Sequence, residues 1–308
     1  MDNLIRLDAY PVKNVLSFLL LDKTTGNNIL FATNAYKSFS ITETTQITVS
    51  SLEKIANLIQ PRVLKSKEEK AHRTKNKAEV FTPAWICNQM NNHCDEEWFH
   101  RKNVFNTEYS SSWVTNVDPI VFENTGDWKK YVSSKRLEIT CGEAPYLVSR
   151  YDASTGKIIP VKDRIGMLDR KLRIVSENTN SLKQWKHWAY IAYRSVYGYE
   201  FQGDNLLIAR INLLVTFVDY MVEKFKRRPT EKELKFLSNI IVWNLWQMDG
   251  LTGAVPIYKS LRELTVEKVL EYLQMPTNSE STQVDCRLYD WENKKEITYN
   301  SIKVEREK

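Results

Sequence analysis

Cysteine and histidine are scarce in this chain, four of each in 308 residues. The cysteines (Cys87, Cys94, Cys141, Cys286) form no C-x-x-C pair, so neither a zinc framework nor a disulfide scaffold is indicated. His93 and His100 stand near Cys94, Asp95, Glu96 and Glu97, but the spacing fits no established zinc pattern. There is no signal peptide, no apolar run of membrane length, no internal repeat and no low-complexity tract. A cytoplasmic chain with reduced thiols is therefore expected. A histone-like excess of base is also missing: the formal charge is +6, which permits nucleic-acid binding without requiring it.

What is present is ample core material. Hydrophobic residues make up 42% and aromatic residues 11%, with nine Trp and fifteen Tyr. These suit core packing first and base stacking second. The length allows one large domain or two modest ones.

Near the amino terminus, apolar runs at 15–21 and 29–33 flank a Gly-Asn turn, which predicts a β-hairpin. Ser50 to Gln60 reads as a helix with Ser50 or Ser51 as N-cap and Leu52, Ile55 and Ile59 on one face. Residues 62–77 carry seven Lys or Arg against two Glu. Such a run is ordinarily a solvated helix or linker; read functionally, it is a phosphate-contacting arm using Arg62, Lys65, Lys67, Arg73, Lys75 and Lys77. Further on, 182–195 and 205–220 have helical apolar spacing. Thr230 and Glu233 form a capping box for another helix. A helix over 264–273 is followed by two strand candidates, 286–291 and 296–300.

The pattern that carries chemistry begins at Leu137. An apolar strand ending in Glu138 runs through Thr140-Cys141-Gly142-Glu143-Ala144 into a segment able to begin a helix. A strand–turn–helix edge of this kind is where an α/β sheet holds nucleotide-like ligands. Val196 to Glu200 reads as a second strand ending in a carboxylate, the residue type that accepts hydrogen bonds from ribose hydroxyls. Asn239 to Asn244 reads as a third strand, with Asp249 a second candidate just beyond it. Upstream, Phe81-Thr82-Pro83 opens a helix.

In this order the pieces resemble the amino-terminal half of DNA adenine-N6 methyltransferases of restriction–modification systems, in particular the family called restriction endonuclease subunit M. The resemblance covers most of the chain from about residue 50. It implies an α/β, Rossmann-like fold, incomplete here and carrying a small β-containing amino-terminal extension. Its parts would be an extension with a basic linker (1–77), the core with insertions (78–258) and a carboxy-terminal helix and hairpin (259–308). It implies S-adenosylmethionine as cofactor, with Phe81, Thr82 and Pro83 against the methionine part. Glu138, Thr140, Cys141, Gly142, Glu143 and Ala144 would form the cofactor turn, where Ala144 replaces the family's second glycine. Glu200 would bind the ribose; Phe201 and Asn244 would border the adenine.

The family's catalytic tetrapeptide, N/D-P-P followed by an aromatic residue, holds the target amino group and stacks on the flipped base. It is absent; Asp118-Pro119-Ile120 is a poor match and lies out of order. The resemblance therefore implies a partial enzyme whose DNA-reading and catalytic half lies on a second chain or in a missing region, and no catalytic residue is assigned. Two other classes stay open. One is a non-catalytic DNA-binding or assembly subunit that kept the fold. The other is a restriction nuclease, whose acidic residues with a nearby lysine would hold magnesium; Asp127 and Glu138 with Lys129 are the nearest approach to that pattern.

Overall fold

The computed structural model describes residues 4–77, 82–256 and 284–305. In chain order these form α1 (Leu16–Leu19), α2 (Val49–Ile55), α3 (Lys67–Lys77), α4 (Ala84–Phe99), β1 (Asn106–Tyr109), β2 (Ser112–Thr115), α5 (Asp127–Ser133), β3 (Arg136–Glu138), α6 (Met167–Asn178), α7 (Leu182–Arg194), β4 (Val196–Glu200), α8 (Gly203–Phe225), α9 (Glu231–Asn244), β5 (Leu245–Gln247), β6 (Arg287–Asp290), β7 (Lys295–Thr298) and α10 (Tyr299–Glu305). The helix expected over 264–273 lies outside the described residues.

The central sheet is three parallel strands in the order β3-β4-β5, with Arg136 opposite Val196 and Gly198 opposite Leu245. β1–β2 and β6–β7 are separate antiparallel hairpins, the second as expected from the sequence. The fold is thus mixed α/β. One apolar core runs from Ile5 through the helices to Leu245.

α8 is the axis of that core. Its 23 residues are apolar on nearly every face, so it is long and apolar enough to cross a membrane, but 83% of its most apolar window is buried within the fold. A helix that is hydrophobic all round belongs inside a protein core or a bilayer, and here the fold itself supplies the cover. The expectation that no apolar segment reaches membrane length is corrected by this helix. Its one fully buried guanidinium, Arg210, donates to the carbonyls of Leu19, Leu21 and Leu245. That single side chain ties the amino-terminal segment to the start of β5.

Four local expectations change. The run 15–21 is not a strand: Leu16–Leu19 is one helical turn, and the hairpin survives only as an isolated Leu21–Asn28 bridge around the turn. Residues 29–31 pair instead with 45–47, and Leu30 bonds to the Gln247 side chain in both directions. The helix expected over 50–60 is shorter, Val49–Ile55, and begins at a Thr48 cap, because Thr48 and Ser51 cap each other's backbone amides. Leu52, Ile55 and Ile59 are buried as the spacing required. The segment after Gly142 does not open a helix. Residues 145–147 form a turn, and Tyr146 and Leu147 give their carbonyls to the amino end of α6.

The fourth change matters most. Residues 239–244 are the last turns of α9, not a strand. The Thr230–Glu233 capping box does start this helix. Its buried face, Leu234, Leu237, Ile240 and Ile241, keeps helical spacing to the end. Extra buried residues in the final turn mimic a strand run. The third strand is Leu245–Gln247.

Candidate functional site at the strand ends

The carboxyl ends of β3, β4 and β5 form one rim. Glu138 ends β3 and Glu200 ends β4, and Asp249 follows β5 by two residues. Between them lies a turn with three left-handed residues in alternation: Thr140 (φ 45°), Gly142 (54°) and Ala144 (64°). Ala144 thus adopts the backbone that favours glycine, at a cost of roughly 1–2 kcal/mol. Residues held there persist only when their surroundings fix them, and such strain gathers at functional sites.

Two carboxylates do the fixing. Glu200 accepts from the Gly142 amide (2.9 Å) and from the Gln202 amide (3.0 Å). Glu138 accepts from Tyr146 and Leu147 (3.3 and 3.0 Å). Burial pushes the Glu138 carboxyl up to about 8; its two backbone donors pull the other way and the charge of Glu200 adds to the rise. Glu143 turns away from the rim and accepts from the Arg62 amide and the Tyr151 hydroxyl. Cys141 is buried against Gly198, where a Cβ would meet its sulfur at 3.2 Å; this close approach is why the strand reads Tyr-Gly-Tyr. Burial pushes the Cys141 thiol well up, which leaves it an inert packing group.

α4 stands beside this rim. Its Cys87 is buried within electrostatic reach of Glu138, and Tyr146 on the turn bonds toward Met90 of α4. Thr82 and Pro83 sit at the helix start, where Pro83 is the N-cap and the Thr82 carbonyl accepts from Cys87. Phe81 lies outside the described residues. On the other side, Gly250 places the turn after β5 against the Tyr199 ring.

The structure thus brings together Thr82, Pro83, Glu138, Thr140, Cys141, Gly142, Ala144 and Glu200. Phe201 follows Glu200, and its carbonyl accepts from Gln247. Asn244 is elsewhere. It lies at the amino end of β5, where its amide donates to the Tyr193 and Val196 carbonyls and accepts from the Trp291 indole. That is a structural clamp at the amino end of the strands, opposite the rim. Asp249 occupies the strand end that Asn244 was expected to fill.

The basic run divides in two. Arg73 and Lys65 are buried, and both face Asp204, which is fully buried in the first turn of α8 and also accepts from Tyr36. Burial alone would raise the Asp204 carboxyl, but the two cations hold it far below the usual carboxylate range. Arg62 is half-buried and bonds to α3 through the Lys70 carbonyl and Thr74. Lys67 and Lys75 are exposed, and the Lys77 side chain lies outside the described residues. Nothing in the sequence marks which cations turn inward; Asp204 lies more than a hundred residues away.

For the nuclease pattern, the Asp127 carboxylate is engaged by Lys130 and Asn124, while Lys129 lies across Trp128 and Trp188. No family model, curated protein or solved structure matches this chain.

Proposed function

We propose that this cytoplasmic chain is the S-adenosylmethionine-binding part of a DNA adenine-N6 methyltransferase of a restriction–modification system. It would act with a second chain that carries the missing tetrapeptide. The observation that carries the reading is the rim: a left-handed turn at the end of one parallel strand, pinned by the carboxylate that ends the next. Ligands of open α/β sheets bind outside the carboxyl ends of the strands.

The chemistry of the rim narrows the ligand. Most amides of the turn are consumed by Glu138, Glu200 and the turn's own carbonyls, so it does not offer an anion cradle. Glu200 and Asp249 instead make an acidic lip, which suits a ligand bearing a sulfonium, an ammonium and ribose hydroxyls, while Glu138 is buried and neutral and serves to hold the turn. Each carboxylate oxygen has a second lone pair, so Glu200 can hold Gly142 and still accept from ribose. When bound, the cofactor supplies the electrophilic methyl group. The residues of this chain orient it and shield it from water. Lys67 and Lys75 on α3, together with the net charge, are the groups available for DNA phosphate.

The consumption of the turn amides also supports a second reading, an assembly subunit that kept the fold without the cofactor. Calorimetry of S-adenosylmethionine binding separates the two. Glu200→Ala is expected to weaken binding by about 10- to 150-fold, the worth of hydrogen bonds to a charged acceptor. Binding that ignores this substitution, or no binding by the unaltered chain, would favour the assembly subunit.

A further inference from the structure

From Gly203 to Val222, α8 is buried except at three positions, Val215, Asp219 and Val222. Their spacing puts them on one helix face. That face lines a cleft of about 570 Å³, the size of a small-molecule site. Leu4 and Tyr10 from the amino-terminal segment, and the loop at 150–164, supply the other walls. The lining is largely apolar, but its charges do not balance. Arg150 and Arg164 share one carboxylate: Asp219 lies 2.7 Å from Arg164 Nη2 and 3.6 Å from Arg150 Nε. Asp169, fully buried and outside the lining, is within electrostatic reach of Arg164. Glu223 lies 3.9 Å from Lys226, and both are exposed. Arg228 is exposed and has no ion pair; its guanidinium lies 5.3 Å from the centre of the Tyr10 ring. With every one of these groups counted as charged, one cation is left over. Two buried guanidinium nitrogens, Arg164 Nη1 and Arg150 Nε, also lack a hydrogen-bond acceptor. Such groups are rare in folded proteins, and each calls for a missing partner. Burial lowers the Arg150 guanidinium below its ordinary value; Asp219 opposes this and the neighbouring Arg164 charge adds to it.

We infer that this cleft binds a small carboxylate with an apolar tail, its head among Arg150, Arg164 and Arg228 and its tail along Val215, Val218 and Val222. The planar fork of a guanidinium matches a carboxylate. Two of the three forks are already set in place. Arg150 Nη1 donates to Asn212 at 3.0 Å, and Arg164 Nε donates to the Ile159 carbonyl at 3.3 Å. Side chains held in this way lose little freedom when a ligand arrives. The charge of the head follows from the balance: one surplus cation suits a monoanion. A dianion would set its second charge against Asp219 and Glu223, with no cation left to meet it. Three valines at helical spacing offer the tail a continuous apolar strip, and burying it there is favourable. This inference does not rest on the proposed cofactor.

Calorimetry of the full chain with sodium octanoate as the probe tests it. Octanoate is expected to bind saturably, at about millimolar concentration or below. Acetate lacks the tail, and octyltrimethylammonium carries the opposite head; each is expected to bind about tenfold more weakly or not at all. Arg228→Ala is expected to weaken octanoate about tenfold, the worth of one hydrogen bond to a charged group. Ile158→Glu places a carboxylate in the lining and is expected to weaken octanoate at least as much, while sparing octyltrimethylammonium. Arg228 is exposed and Ile158 is 53% exposed, so neither change removes a core contact. The inference is overturned if octanoate does not bind. It is equally overturned if octyltrimethylammonium binds as tightly, or if neither substitution weakens octanoate, since either result means adsorption of the tail to apolar surface alone.

Discussion

Removing Asp204 would expose how the basic run is divided. The carboxylate is fully buried and faces Arg73 and Lys65, themselves almost completely buried, with the Tyr36 hydroxyl as a further donor at 2.7 Å. Asp204→Ala leaves two cations in the interior with only the part-exposed Glu69, 3.4 and 3.6 Å away, as counter-charge. Breaking a buried pair from one side costs about 3–5 kcal/mol, a large share of a typical total of about 5–15 kcal/mol. For 308 residues, an unfolding entropy of about 2.1 cal/mol/K per residue converts ~4 kcal/mol into a melting shift of about 6 °C. Urea and thermal unfolding read this directly. The pH sign follows from the depressed carboxyl: its contribution is complete above the ordinary aspartate range and is lost as pH falls below it. The loss in Asp204→Ala should therefore shrink in acid. A shift under ~1 °C at neutral pH would refute the reasoning, because a surface pair costs that little. The same cluster predicts DNA behaviour. On the proposed function, Lys67→Ala and Lys75→Ala each reduce the salt dependence of DNA binding by about one ion, while Arg73→Met lowers stability first.

Three further outcomes follow from the geometry. Glu138, raised to about 8, carries a proton in the folded chain that it lacks when unfolded, so stability should fall as pH rises from about 4.5 to 8. Glu138→Gln should flatten that slope in urea titrations, and an unchanged slope would assign the pH dependence elsewhere. Asn244→Ala should lower the urea midpoint without altering cofactor affinity, whereas Asp249→Ala should do the reverse; calorimetry and unfolding on both variants check the placement of the third strand. At Gly203 a Cβ would stand 1.9 Å from the Leu30 carbonyl oxygen. Gly203→Ala should therefore cost at least the ~1–3 kcal/mol of an overpacked core, while Gly126→Ala, with nothing within 4 Å, should be near neutral in the same assay.

The sequence by itself determined the elements whose physics is local. The Thr230–Glu233 box starts α9 because two neighbouring residues satisfy each other's amides. β4 ends in Glu200, and the 286–300 hairpin forms as its alternation requires. Tertiary structure alone decided the rest. Residues 239–244 are as apolar as a strand, and only packing along one helical face makes them the end of α9. Asn244 went with them to the amino end of β5, leaving Asp249 at the rim. The basic run looked uniform because charge is visible in sequence and burial is not. Arg73 and Lys65 turned inward because Asp204, distant in sequence, had to be neutralised once α8 was buried.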